Sequence, residues 1–322
     1  MAPPHDPRWT RRAWLAASTS AAVTIGGWPR HAEAAKERLL EEATSEYNTI
    51  MVTERGSVRT MYFVVDGTRY IESRWDMDNP NSLDLDYSRT MMAGFLLDPS
   101  PKRFMMMGVG GGQISNYLFE RFPDMEIDAV DIDPEVVRLA RKYFGVPNDP
   151  RYRTHVGDGR LFIEKATEPW DVIMLDAFRG VFVPYHLKTR EAYQACLDKL
   201  TPRGIVIANL HNLTRMYPHD RNTLAAVFPQ CYSFVSESGN QTTFVASASE
   251  SRVGTYAIRA NARTVADRFD FDIMGLSARY YMRTDWDSEA SVLTDDFKPG
   301  DLESAAERHN TTCIAGCAYP AG

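Results

Sequence analysis

The chain has 322 residues, 44% of them apolar and 25% charged, which suits a packed core and argues against wholesale disorder. Its net charge of −7 supplies no general electrostatic grip on nucleic acid, so no nucleic-acid partner is expected. Four cysteines, Cys196, Cys231, Cys313 and Cys317, are too few for a disulfide scaffold, and with no C-x-x-C pair no metal site is expected.

In chain order, Arg11-Arg12 precedes a mildly apolar stretch, Ala13–Trp28, and Ala32-Glu33-Ala34 offers the small residues a signal peptidase reads. Residues 1–34 are therefore expected to be a twin-arginine export signal, with a periplasmic destination. The alternatives are an uncleaved anchor, or a misassigned start that leaves the protein cytoplasmic. The stretch is short for a membrane span, and no later run is apolar enough for one. Cleavage after Ala34 would leave a net charge of −9. In an oxidising compartment Cys313 and Cys317 in the tail would pair or remain free thiols, whereas Cys196 sits in an apolar helical pattern and reads as core.

Residues 36–46 read as a short polar helix. Three β segments follow at 48–54, 58–65 and 68–73, and Asp66-Gly67 between the last two is a hairpin signal. Residues 84–97 carry a helical apolar stripe and stop before Asp98-Pro99-Ser100-Pro101. From Lys102 strands alternate with helices. Strand candidates fall at 103–109, 126–132, 151–156, 170–177, 204–210, 231–237 and 242–247. Helices fall at 115–122, 134–144, 160–166, 190–200 and after Asn222. That spacing predicts βαβ units and a mostly parallel sheet, with an antiparallel last strand because no helix separates the final two. A further helix is expected near 262–269. The domain reading is a helix and small antiparallel β domain over 35–98, a nucleoside-binding α/β domain over 99–250, and a C-terminal extension over 251–322.

The chemistry-bearing residues fall at strand tips. Gly108-Val109-Gly110-Gly111-Gly112 follows an apolar strand and precedes a helix, and Gln113 replaces the small residue of a dinucleotide fingerprint. This loop resembles those used for S-adenosylmethionine; a packing turn is the alternative. Asp131, followed by Ile132, ends the next strand, where a carboxylate accepts ribose hydroxyls. Asp133-Pro134 reads as a helix cap instead. Asp158, between Gly157 and Gly159, would accept from an adenine amino group or cap the following helix. Asp176 closes the fourth strand. Four such features on successive strands point to one crevice. His186 and His211 also follow strand ends but read as lacking an ordered partner. Met105–Met107 read as buried strand, and Arg138, Arg141 and Lys142 as a solvated helix face.

From about Glu42 to Ser247 the chain resembles the spermidine synthase family of aminopropyltransferases, especially its divergent bacterial branch. The resemblance rests on SEYNTIMVTE, the Gly108–Gly112 loop, AVDIDPEVVRLARKYF, GDGRLFIEK, WDVIMLDAF, VPYHLKTREAYQACLDKLTPRGIVIAN and the tail phrase LTDDFKP. It implies a methyltransferase-like Rossmann domain behind a small β domain, and commonly a homodimer. It also implies a co-substrate, decarboxylated S-adenosylmethionine or S-adenosylmethionine itself, and a small-molecule amine or other acceptor. Gly108, Gly110, Gly112, Gln113, Asp131, Ile132, Asp158, Gly159 and Asp176 would then hold the nucleoside, with Asp176 and Tyr87 catalytic. The chain departs from the family at Gly111, where an acid is usual. It departs again at Arg179, where the second acid of D-x-x-D stands, and in Tyr87-Ser88-Arg89, where the triplet normally ends in glutamate. Arginines at 89 and 179 would repel a polycation by roughly 1–4 kcal/mol each. Three readings therefore stand: an aminopropyltransferase, a methyltransferase-like enzyme, and a non-catalytic exported binding protein. A carboxylate from Glu72, Asp84 or Asp86 beside Asp176 would favour the first.

Overall fold

The computed structural model describes residues 36–178, 183–212, 214–239, 241–281 and 287–296. The expected export signal, Arg179, Cys313, Cys317 and the end of LTDDFKP lie outside them.

Strands β1 (Arg38–Thr44), β2 (Thr49–Arg55), β3 (Val58–Val65) and β4 (Thr68–Asp76) form an antiparallel sheet in that order. Asp66 and Gly67 turn the β3–β4 hairpin with φ of 51° and 76°, the left-handed pair that a tight two-residue loop needs. The helix expected over 36–46 is instead strand β1. Its Leu, Glu and Ala residues favour helix in isolation, by under about 1 kcal/mol each. Pairing with β2 from Arg38↔Glu54 to Thr44↔Thr49 outweighs that preference. So do the Glu37–Thr53 bond (2.7 Å) and the contacts of Glu41 with Lys142 and Tyr143 (2.7 Å each).

Helix α1 (Asp86–Met91) and a 3₁₀ turn at Met92–Leu96 fill the next expected helix. The chain then alternates through β5 (Arg103–Met107), α2 (Gln113–Arg121), β6 (Glu126–Asp131), α3 (Pro134–Tyr143), β7 (Tyr152–Val156), α4 (Gly159–Lys165), β8 (Trp170–Leu175), α5 (Arg190–Asp198) and β9 (Leu200–His211). After these come α6 (Tyr217–Ala225), β10 (Gln230–Val235), β11 (Gln241–Ser247), α7 (Thr255–Val265), α8 (Ile273–Ala278) and β12 (Tyr280–Tyr281). Helix α6 starts earlier than expected, with Pro218 in its first turn, where the missing N–H costs nothing. Helix α7 also starts earlier, because Ile258, Ala262 and Val265 form its buried stripe.

The second sheet runs β12-β10-β11-β9-β8-β5-β6-β7. Its centre is parallel, and β11 runs antiparallel to β9, as the missing crossover helix requires. The Met105–Met107 run alternates across it. Met105 and Met107 pack with Ile163, Trp170 and Tyr193; Met106 packs on the opposite face with Leu118 and Val136. Ile50, Val52 and Met61 of the first sheet share a core with Val136 of α3, Phe144 at its end, and Phe104 and Ile127 of the second sheet. Asp133 ties the two together. It caps α3 through Glu135 N (2.9 Å) and accepts from Ser45 Oγ (2.6 Å) and Asn48 Nδ2 (3.0 Å). Strand order reverses at β5, so the carboxyl ends of β5 and β8 open on the crevice where such sheets take ligands.

Candidate active site

The glycine loop leaves β5 with φ of 92° at Gly108, 52° at Gly110 and 76° at Gly112. A Cβ on Gly108 would stand 2.4 Å from the Asp176 carbonyl oxygen, so β5 and β8 meet there without room for a side chain. The loop amides are bonded inward. Gly108 N donates to Val130 O (2.8 Å) and Gly112 N to Val109 O (2.7 Å). Gly111 N donates to Ser73 Oγ (2.8 Å) and Val109 N to Asp131 Oδ2 (2.9 Å). Asp131 also accepts from Asp133 N (3.0 Å). Asp131 is thus the anchor of the loop, and burial raises its carboxyl even against these donors. Ile132 follows it and is 40% exposed. Gln113 begins α2 and donates to Ser82 O (3.3 Å).

At the next strand tip, Asp158 caps α4 by accepting from Leu161 N (2.8 Å), and its other oxygen bonds His186 Nε2 (2.8 Å). His186, expected to lack an ordered partner, has one. It holds the Asp158 carboxyl below the ordinary carboxylate range. Gly159 packs under it, because a Cβ there would lie 2.6 Å from the Met107 side chain.

Asp176 lies between two cavities. The wider one, about 360 Å³, is lined by Glu72, Asp84, Asp86, Tyr87, Asp176 and His211 among others. The narrower, about 20 Å³, lies over the glycine loop and is bounded by Glu72, Tyr87, Gly108, Gly110, Gln113 and Asp176. Asn209 Nδ2 donates to Asp176 Oδ1 (3.2 Å) and the Tyr87 hydroxyl also donates to this carboxylate. Burial nonetheless pushes the Asp176 carboxyl up to about 6. Glu72 is raised well above its usual value, first by desolvation and then by Asp176 and Asp131.

The arginine expected to repel a cation at position 89 does not line this cavity. Its guanidinium bonds the carbonyls of Leu83 (2.6 Å) and Asp84 (3.2 Å), fixing the loop that presents Asp84. Arg74 lines the wide cavity instead. The residues unmarked in the sequence are Asn209 and Ser73. Asn209 lies near the end of β9, where the strand-tip rule that found Asp176 also applies. Ser73 carries no such signal, since its role depends on β4 lying over the loop. His211 lines the cavity with its imidazole lowered to about 4, by burial and then by Lys188, so it is neutral at pH 7. Among the described residues no cluster of three His, Cys, Asp or Glu could hold a metal, and no helix is long and apolar enough to cross a membrane. Cys196 is buried, its thiol pushed up to about 12.

Sheet order, glycine loop and strand-tip acids define a methyltransferase-like α/β fold. Human methyltransferase-like protein 13, solved with SAH, shares it at 25% identity and a TM-score of 0.52 over 57% of this chain and 92% of that one. Residues 86–245 match the spermine/spermidine synthase domain. The polyamine aminopropyltransferase of Vibrio vulnificus is 32% identical over 273 residues, 82% of this chain and 91% of that protein. A probable spermidine synthase from Corynebacterium glutamicum has the same fold, with a TM-score of 0.60 at 20% identity over 78% of this chain and 98% of that one. The chain belongs to the spermine/spermidine synthase family.

Proposed function

We propose that the protein is an aminopropyltransferase, which moves the aminopropyl group of decarboxylated S-adenosylmethionine to an amine. The observation that carries this is the wide cavity. Among the described residues four carboxylates, Glu72, Asp84, Asp86 and Asp176, line it against one arginine, Arg74, and it shares Glu72, Tyr87 and Asp176 with the cavity over the glycine loop. Such a lining suits a cationic acceptor approaching a sulfonium nucleoside.

In this reading the nucleoside lies across the loop, with Asp131 and Ile132 at its ribose and Asp158 at its base. Asp176, oriented by Asn209 and Tyr87, holds the attacking nitrogen and takes its proton; a carboxyl near 6 is ionised at neutral pH yet basic enough for that step. The nitrogen forms a bond to the carbon beside sulfur, the C–S bond breaks, and its electron pair leaves a neutral thioether. Alignment supplies much of the acceleration. The resemblance also supports a homodimer, and the Arg11-Arg12 segment supports export.

The test is an assay of the purified chain with decarboxylated S-adenosylmethionine and putrescine, following methylthioadenosine and the aminopropylated amine by mass spectrometry. Equimolar appearance of both is expected. Nucleoside binding without transfer to any of a panel of diamines and triamines would overturn the reading. Methyl transfer from S-adenosylmethionine to an acceptor would establish the methyltransferase alternative.

A further inference from the structure

We propose that Glu72 reads the charge of the nucleoside's side chain: its carboxylate pairs with a terminal ammonium and rejects a sulfonium nucleoside that also carries a carboxylate. This goes beyond the family's fold and rests on the nucleoside-binding role proposed for the loop.

Three observations meet at this residue. First, Glu72 borders both cavities, and its Oε1 lies 3.4 Å from where a Cβ on Gly110 would stand, so the carboxylate is against the glycine loop. Position 111 cannot supply a side chain of its own there, because a Cβ would come within 2.8 Å of Ser73 Cβ and 3.0 Å of Phe144 Cδ1. Second, four of the five amides from Gly108 to Gly112 are bonded within the protein, to Val130 O, Asp131, Ser73 Oγ and Val109 O, and the fifth, Gly110 N, is near enough to the Asp131 carboxylate to help hold it ionised. A glycine loop with free amides is an anion cradle; in this one four are taken, and the Gly110 amide acts on the Asp131 carboxylate. Third, among the described residues the cavity over the loop is bounded by two carboxylates, Glu72 and Asp176, and by no lysine or arginine. A ligand carboxylate placed there would be desolvated between like charges, whereas an ammonium would be paired.

Glu72 is also an acid awaiting a partner. Among the described residues no hydrogen bond or ion pair reaches its carboxylate, and the charges that act on it, Asp176 and Asp131, are of its own sign. A bound ammonium relieves that repulsion. Asp176, by contrast, already has Asn209 and Tyr87 and faces the acceptor. The two acids therefore have separate roles. Glu72 holds the end of the donated group, and Asp176 the incoming amine.

The test is calorimetry on the full chain with methylthioadenosine, which has no charged side chain, decarboxylated S-adenosylmethionine and S-adenosylmethionine. The unaltered protein should bind the decarboxylated form at least ~10-fold tighter than the carboxylated one. Glu72→Gln should remove most of that preference, with methylthioadenosine affinity changed less than about two-fold, which also reports an intact fold. Glu72→Asp keeps the charge and should keep the sign of the preference, so a Gln variant that fails to fold does not end the test. Equal affinity of the unaltered chain for both sulfonium nucleosides, or a preference that survives in Glu72→Gln, overturns the assignment while methylthioadenosine binding leaves the nucleoside reading standing. Failure of all three nucleosides to bind overturns both.

Discussion

Burial raises the Asp176 carboxyl to about 6, whereas an unfolded chain would titrate it near ~4. Between those values the folded state holds a proton that the unfolded state has lost, so stability falls as pH rises through that window, and the cost is complete at pH 7. Asp176→Asn removes the cost together with the proposed base. It is expected to melt a few degrees higher than the unaltered protein at pH 7.5, with the difference gone by about pH 4, while transfer falls ~100-fold or more. A variant that melts lower at pH 7.5 would mean that the carboxylate is structural. Gly108 is the opposite case. Its φ of 92° and a Cβ position 2.4 Å from Asp176 O leave alanine no place. Gly108→Ala is expected to lower stability by about 2–4 kcal/mol by denaturant melts, against about 1 kcal/mol or less for Gly254→Ala, an N-cap of α7 where nothing lies within 4 Å. At this scale the short acids were legible because a strand tip fixes where they stand. Arg89 was not, since a long side chain chooses its direction only when Leu83 and Asp84 offer carbonyls to it.

In helix α4 a cap and the proposed base-binding group would be the same residue. Asp158 caps it through Leu161 N and is held from the other side by His186. Capping is worth about 1 kcal/mol, so Asp158→Ala should lose both that stability and nucleoside affinity. Asp158→Asn keeps an oxygen for the cap but exchanges a carboxylate for a weaker neutral acceptor. It should hold its melting temperature within about two degrees while methylthioadenosine binding weakens several-fold. Equal losses of stability in the two variants would show that the charge, not the cap, supports α4. The alternation from β5 to β9 was readable because each element carries its own period. Strand β1 was not, because Arg38–Thr44 has helix-forming residues and is extended only by its pairing with β2 and the grip of α3 on Glu41.

Across the whole molecule, the first sheet and α1 bring acids to a crevice that the second sheet opens at its switch point. Glu72 comes from β4, Asp84 from the approach to α1, Asp86 from the first residue of α1, and Asp176 from just past β8. No local pattern could announce that meeting; it exists because β4 lies over the glycine loop, where Ser73 bonds Gly111. The arrangement makes salt a separable probe. Asp84 is exposed at the mouth and Asp176 lies inside, and screening acts over ~10 Å at 0.1 M salt on the exposed charge far more than on the enclosed one. Raising sodium chloride from about 50 to about 500 mM should therefore increase KM for a dicationic acceptor several-fold, with kcat and the affinity for uncharged methylthioadenosine nearly constant. Arg74→Gln removes the opposing charge that Arg74 brings to the cavity and should lower that KM at the lower salt, with the gain shrinking at the higher. A salt-independent KM would place the acceptor's second ammonium away from Asp84 and Asp86, and the wide cavity would then not be its seat.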